Sequence, residues 1–273
     1  MPLIDDEGNL FGVVNVVDAL AVCLVLAVLV AGVAVVGVLG DGNETAASDD
    51  PENDSQPATR YTTIDLGVQP DYVVTSIHTG DQAAGTIDGH NLTITDVYVS
   101  PTNGGNKGHV VVRTKIEGEY PPTNSSKTAF RFNNSSIRIG GTMTVDTGDY
   151  ALQGTVQRLE GEGTTLETER TTVGIETRAS STVAEEIEAG DEYQFAGQTV
   201  ATVANVTTTE LNDTSQKAVD LQVDLVTFNR AGTQMFGGQS LQTGSQIPIR
   251  TDHYEISGKM IHRGQSVPID ERN

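Results

Sequence analysis

His109-Val-Val-Val-Arg-Thr-Lys-Ile116 sets Val110, Val112, Thr114 and Ile116 on one side of an extended chain and His109, Val111, Arg113 and Lys115 on the other. Alternation at period two is the pattern of a strand with one buried face. Leu92-Thr-Ile-Thr-Asp-Val-Tyr-Val99 alternates in the same way. Short Val-, Ile- and Thr-rich runs broken by Gly, Asn and Asp continue from Tyr61 onward, so the soluble part reads as all-β. The only helix-like stretch outside the membrane is 182–189.

The opening stretch has an echo. At one constant offset Val110, Val112, Thr114 and Ile116 match Val219, Leu221, Val223 and Leu225. Upstream, Ile77-His-Thr-Gly80-Asp81 returns as Ile187-Glu-Ala-Gly190-Asp191, and Thr93-Ile-Thr-Asp-Val97 returns as Thr202-Val-Ala-Asn-Val206. Downstream, Phe132, Ile137 and Gly140 match Phe236, Leu241 and Gly244. Gly140…Tyr150-x3-Gly154 repeats as Gly244…Tyr254-x3-Gly258 with the same internal spacing, and the lead strands align Ile64-Asp-Leu66 with Val173-Gly-Ile175. Ordered matches of this kind indicate an internal duplication, with copies at 61–160 and 170–265, each large enough for its own small core. The expected fold is mainly β: one N-terminal transmembrane α-helix followed by two similar small β-barrel or sandwich units. The repeated Gly80, Asp81, Gly190 and Asp191 read as tight turns, each with a left-handed glycine and a capping carboxylate. Gly140-Gly141 reads as a hairpin or bulge, and Tyr150 and Tyr254 read as buried rings with a hydroxyl partner.

Residues 19–40 are an unbroken apolar run without charge. At about 1.5 Å per residue they extend roughly 33 Å, one hydrocarbon core. The preamble is acidic, with Asp5, Asp6 and Glu7, and Gly40-Asp41-Gly42 is a poor cleavage site, so a retained anchor is expected over a cleaved signal. The division is a tail at 1–12, a span at 13–40 and an acidic, unfolded linker at 41–60. No Lys or Arg precedes Arg60, so the positive-inside rule gives no orientation. Eight Asn-x-Ser/Thr acceptors, at Asn43, Asn53, Asn91, Asn124, Asn133, Asn134, Asn205 and Asn212, point to a cell-membrane protein with its large C-terminal domain outside. Asn15 and Asp18 mark the membrane edge beside Leu10 and Phe11. A small-residue row from Asn15 through Ala19 and Cys23 would allow pairing with another helix.

The formal charge is −21, only five of the 16 basic residues are lysine, and there is no tryptophan. Such a surface repels itself in dilute buffer and is tolerated when the Debye length falls to about 3 Å near molar salt. The composition points to an extreme halophile of the haloarchaeal kind, and it argues against a nucleic-acid partner, which needs clustered bases. The single cysteine, Cys23, lies in the span, which excludes an internal disulfide and a Cys-based metal site. No phosphate loop, HExxH, GxSxG or EF-hand sequence is present. His78, Asp81, Asp88 and His90 could hold a metal, but the second copy has Glu188 for His78 and no histidine soon after Asp191. No catalytic residue, cofactor or metal is therefore expected, and the chain reads as a non-enzyme.

The preamble Ile4-Asp5-x2-Gly8-x-Leu10-Phe11-Gly12-x2-Asn15-x2-Asp18 resembles an uncharacterised family of single-span membrane proteins with a Gly-Asp-containing β domain. The resemblance extends through Gly80-Asp81 and Tyr150-x3-Gly154, leaves the second copy as an addition, and implies no activity. A fainter likeness, in Gly197-Gln-Thr-Val-Ala-Thr-Val203, is to mammalian-cell-entry-type lipid-transfer domains. The expected function is a membrane-anchored envelope scaffold or partner-binding β module. Its partners would be the lipid bilayer and another envelope protein or a second copy through the span. The alternative is a carrier of lipid or another hydrophobic ligand.

Overall fold

The alternating runs become antiparallel ladders in a computed structural model that describes residues 9–10, 14–15 and 55–269, apart from 85–89, 104, 123–128 and 213–214. Two units separate at residue 50. In the first, β1 (Asn9–Leu10) pairs with β2 (Val14–Asn15), with Leu10 opposite Val14 and Asn9 opposite Asn15. Phe11, Gly12 and Asp18 lie outside the described residues, as does the expected span except for Val14 and Asn15. Among the described residues, no helix is long and apolar enough to cross a membrane.

The second unit holds both β copies. The first contains β3 (Gln56–Pro70), β4 (Asn91–Pro101), β5 (Lys107–Tyr120), β6 (Arg131–Phe132), β7 (Ser135–Ser136), β8 (Thr142–Asp146) and β9 (Ala151–Glu160). The second contains β10 (Thr168–Ser180), β11 (Glu192–Phe195), β12 (Gln198–Glu210), β13 (Gln216–Arg230), β14 (Thr233–Phe236), β15 (Gln239–Ser240), β16 (Gln246–Arg250) and β17 (Glu255–Pro268). The sheets share one order: β8-β9-β3-β5-β4 answers β16-β17-β10-β13-β12, and β6-β7 and β14-β15 hang from β5 and β13. Each sheet curls into a half-barrel. The second copy adds β11 at its edge, where among the described residues the first has a single bridge, Gln82 to Thr93. β3 starts at Gln56, within the stretch read as linker, because 56–60 pair with 116–120.

Each copy carries a short helix after its lead strand, α1 (Asp71–Val74) and α2 (Ser181–Glu186). The Ser180 hydroxyl caps α2 by accepting the Val183 N–H at 3.3 Å. α1 was not legible, because Tyr72, Val73 and Val74 favour strands. It is held instead by the Asp71 N–H donating to the Asn106 carbonyl at 2.9 Å.

The ladders also correct the alignment of the lead strands. Ile64 faces Val112, while Leu221, the counterpart of Val112, faces Ile175 and not Val173. Ile64 is therefore equivalent to Ile175, two residues from the sequence match. One extra residue in β3 restores the later register. Asp65 pairs with Val111 and Gly67 with Val110, so Leu66 bulges, with Gly67 left-handed at φ 72°.

Val110, Val112 and Ile116 are buried with Ile64 and Leu92, and Val219, Leu221 and Leu225 with Ile175 and Val203, in one contiguous apolar core that runs through both copies and not in a separate core for each. β13 alternates buried and exposed residues as the sequence predicts, but β5 is buried on both faces from Gly108 to Thr114. The second copy packs on that outer face. Gly154 and Gly258 occupy equivalent positions of close approach. A Cβ on Gly154 would fall 2.6 Å from Ile64 Cγ2, and one on Gly258 would overlap Ile175. Gly154→Ala and Gly258→Ala are each expected to cost about 1–3 kcal/mol through overpacking. Gly161→Ala, which meets nothing within 4 Å, should be near neutral. Thermal melting in molar salt checks all three.

Candidate functional site

The predicted turn positions form one device built twice. Gly80 and Gly190 are left-handed, at φ 98° and 101°. Their N–H groups donate to the carbonyls of Ile94 at 2.8 Å and Val203 at 2.7 Å. The next carboxylate faces back. Asp81 Oδ2 accepts the His78 N–H at 2.9 Å and the Tyr150 hydroxyl at 2.7 Å. Asp191 Oδ2 accepts the Glu188 N–H at 2.9 Å and the Tyr254 hydroxyl at 2.7 Å. The tyrosines sit in the turns between β8 and β9 and between β16 and β17, so each bond joins one side of the curled sheet to the turn before its opposite edge. Burial pushes both phenols above their ordinary value, and the bond to the aspartate and its negative charge add to the shift. Each bond latches a hairpin turn to a glycine turn.

The second constellation lies where the copies meet. Tyr98 and Val111 of the first copy are buried against Leu166 and Phe228, and the Tyr98 hydroxyl donates to the carbonyls of Val226 and Met235 at 3.2 and 3.1 Å. The Gly237 N–H donates to Ser100 Oγ at 2.9 Å, and the Leu166 N–H donates to Asp96 Oδ2 at 2.6 Å. Burial raises the Asp96 carboxyl even though the N–H groups of Leu166 and Val97 oppose the shift. Arg113, buried, holds the connection between copies by donating to the carbonyls of Gly163 and Glu162 at 2.9 and 3.0 Å.

Beside this joint a recess of about 680 Å³ opens between Asp65, Gly67, His109, Thr142, Gln153 and the Gly237–Gly238 turn. His109 Nε2 lies 2.8 Å from Asp65 Oδ1. Asp65 Oδ2 accepts from Gln157 Nε2 at 3.0 Å and lies 3.9 Å from Arg230 of the second copy. Burial pushes the Asp65 carboxyl up, but the hydrogen bond and charge of His109, the Gly67 N–H and Arg230 outweigh it and hold the group below its ordinary value. A carboxylate orienting an imidazole is half of a general-base pair. Here the second half is closed off. His109 Nδ1, the nitrogen that would face a substrate, is buried and has no hydrogen-bond partner among the described residues.

Sequence reading missed this pair. Asp65 and His109 correspond to Glu176 and Ala218, and that divergence between the copies was the available signal. Two of the candidate metal residues are engaged elsewhere: Asp81 with Tyr150, and His90 with the Asn133 N–H at 3.0 Å and stacked on Phe132. Asp88 lies outside the described residues. Among the described residues no group of three or more His, Cys, Asp or Glu could hold a metal ion.

Two measurements test these constellations. Tyr254→Phe removes a bond to a charged group, at a cost of about 1.5–3 kcal/mol. A phenol whose folded pKa is raised adds stability below its unfolded value, about 10, which is lost as pH climbs through the folded one. The variant's deficit should therefore narrow in strongly alkaline titrations. Asp65 is the opposite case: a depressed carboxyl stabilises above its unfolded value near 3.9 and loses that contribution as pH falls through the folded value. Asp65→Asn should lower the melting temperature at neutral pH and converge on the parent in acid.

No curated protein and no solved structure matches the chain. One family does. Residues 1–160 match Domain of unknown function (DUF4330), and the match ends at Glu160, the last residue of β9. It covers the preamble and the first β copy, more than half of the chain. The protein belongs to the DUF4330 family, with a second β copy beyond the matched region.

Proposed function

We propose that this chain is a non-enzymatic, single-pass envelope protein whose two β copies form a scaffold or partner-binding module on the outer side of the cell membrane. The anchor, at 13–40, rests on the uncharged apolar run, and the outward orientation rests on the eight acceptor sequons. The acidic, lysine-poor surface fits a halophile's solvent.

One observation carries the choice of a platform over a carrier. The curled sheets are filled by side chains of one continuous core, with Ile64, Val110, Ile116, Val219, Val223 and Leu225 almost wholly inaccessible. A carrier needs enclosed apolar volume, whereas the joint recess is open and mixed, with Thr142, Gln153, Thr155 and Gln239 beside Leu66 and Val68. Its enclosed imidazole supplies no base.

Two experiments test the proposal. Protease shaving of intact cells should remove the β copies, and their survival would place them inside. Native mass spectrometry of the full chain, kept in high salt until spraying, should show no stoichiometric lipid. A discrete oligomer with stoichiometric lipid would establish the carrier instead.

A further inference from the structure

The joint between the copies sets β4 of the first copy against β11, β12 and β13 of the second, with the turn between β14 and β15 pressed onto Pro101 and His109. Several joint residues of one copy have counterparts in the other that lie outside the joint. Tyr98 and Val111, buried in the joint, correspond to exposed Thr207 and Asp220 on the free β12–β13 surface. Phe228 and Met235, on the other side of the joint, correspond to Glu119 and Arg131 on the free β5–β6 surface.

Acceptor sequons fall at these same positions. The turn between β14 and β15, Gly237-Gly238, presses into the joint. A Cβ on Gly237 would lie 2.7 Å from the Pro101 carbonyl oxygen, and one on Gly238 would lie 2.9 Å from His109. Its counterpart between β6 and β7 is Asn133-Asn134, whose φ values of 45° and 63° match the 60° and 78° of the glycines. Asn134-Ser135-Ser136 is a sequon, and all three residues are exposed. At the other end Asp96, which accepts the Leu166 N–H in the joint, corresponds to Asn205. Asn205-Val206-Thr207 is again a sequon, with Asn205 and Thr207 exposed. Asn103, which donates to the Gln246 carbonyl across the joint at 2.9 Å, corresponds to exposed Asn212 of a third.

We propose that Asn134 and Asn205 are N-glycosylated, and that the glycans cap the two free surfaces whose counterparts form the joint. The inference rests on the outward orientation proposed above. In the reaction, the Asn Nδ2 bonds to the anomeric carbon of a lipid-phosphate-linked oligosaccharide, supplied with its transferase at the outer membrane face. The anomeric carbon–oxygen bond to phosphate breaks, the lipid phosphate leaves, and the amide loses one proton to a base. Asn91 offers a poorer acceptor, being half-buried at the start of β4 opposite Glu117.

The test is peptide mapping by mass spectrometry of the full chain purified from its own host's membranes, with protease shaving of the same cells. A glycan mass on the peptides bearing Asn134 and Asn205, in most molecules and lost site by site in Asn134→Gln and Asn205→Gln, is the expected result. Bare mass at either asparagine, in a protein that shaving removes, overturns the two-ended cap and leaves the outward reading intact. β copies that resist shaving overturn the outward reading itself, and the cap with it.

Discussion

A single hydrogen bond, made twice, is what the rest of the molecule depends on: a tyrosine hydroxyl at the end of one hairpin, donated to the aspartate of a glycine turn across the sheet. A curled antiparallel sheet that does not close leaves its edges free to splay, and its core is sealed only while they are held. Tyr150 to Asp81 and Tyr254 to Asp191, both at 2.7 Å, fix that distance in each copy. The same aspartate oxygen also terminates the turn, so one carboxylate sets both local backbone geometry and overall curvature. Core packing, the covered outer face of β5 and the joint between copies are built on that curvature.

The β class, the duplication and the latch residues were legible because they are periodic or repeated. Val110, Val112, Thr114 and Ile116 carry their burial in their spacing, and Gly80-Asp81 and Tyr150 announce themselves by recurring. What recurs nowhere was hidden. The lead strands slip by two in the sequence comparison, since hydrophobic residues at period two align as well one step along as at their true register. Only the ladder partners, Val112 and Leu221, separate the two possibilities. The Asp65–His109 pair depends on the bulge at Leu66 and on a contact between copies, and neither leaves a local signature. The burial of Val111 on the outer face of β5 was invisible for the same reason.

The two copies have diverged according to their neighbours. Where they share an internal task, the residues persist: Gly154 and Gly258 both admit a β-branched side chain from the lead strand. Where one copy meets the other, they part, with Tyr98 against Thr207 and Gly238 against Asn134. Apart from Asp96 and the long approach of Arg230 to Asp65, the joint is built from apolar contacts and hydrogen bonds between neutral groups, which salt screens little, while the acidic exterior is left to the solvent. That division suits a protein whose charge would be a liability in dilute buffer.

β3 lies between β5 and β9, runs antiparallel to both, and pairs with β5 from Gln56 to Pro70. It is also the first strand of the β copies. A pull on its amino end, opposed from β5 and β9, loads the ladder parallel to the strand axis. The hydrogen bonds then share the force in shear and do not open one at a time from an end. Such a strand gives way through a single cooperative event governed by its unfolding rate. The order of strands therefore gives the β copies mechanical strength at their amino end.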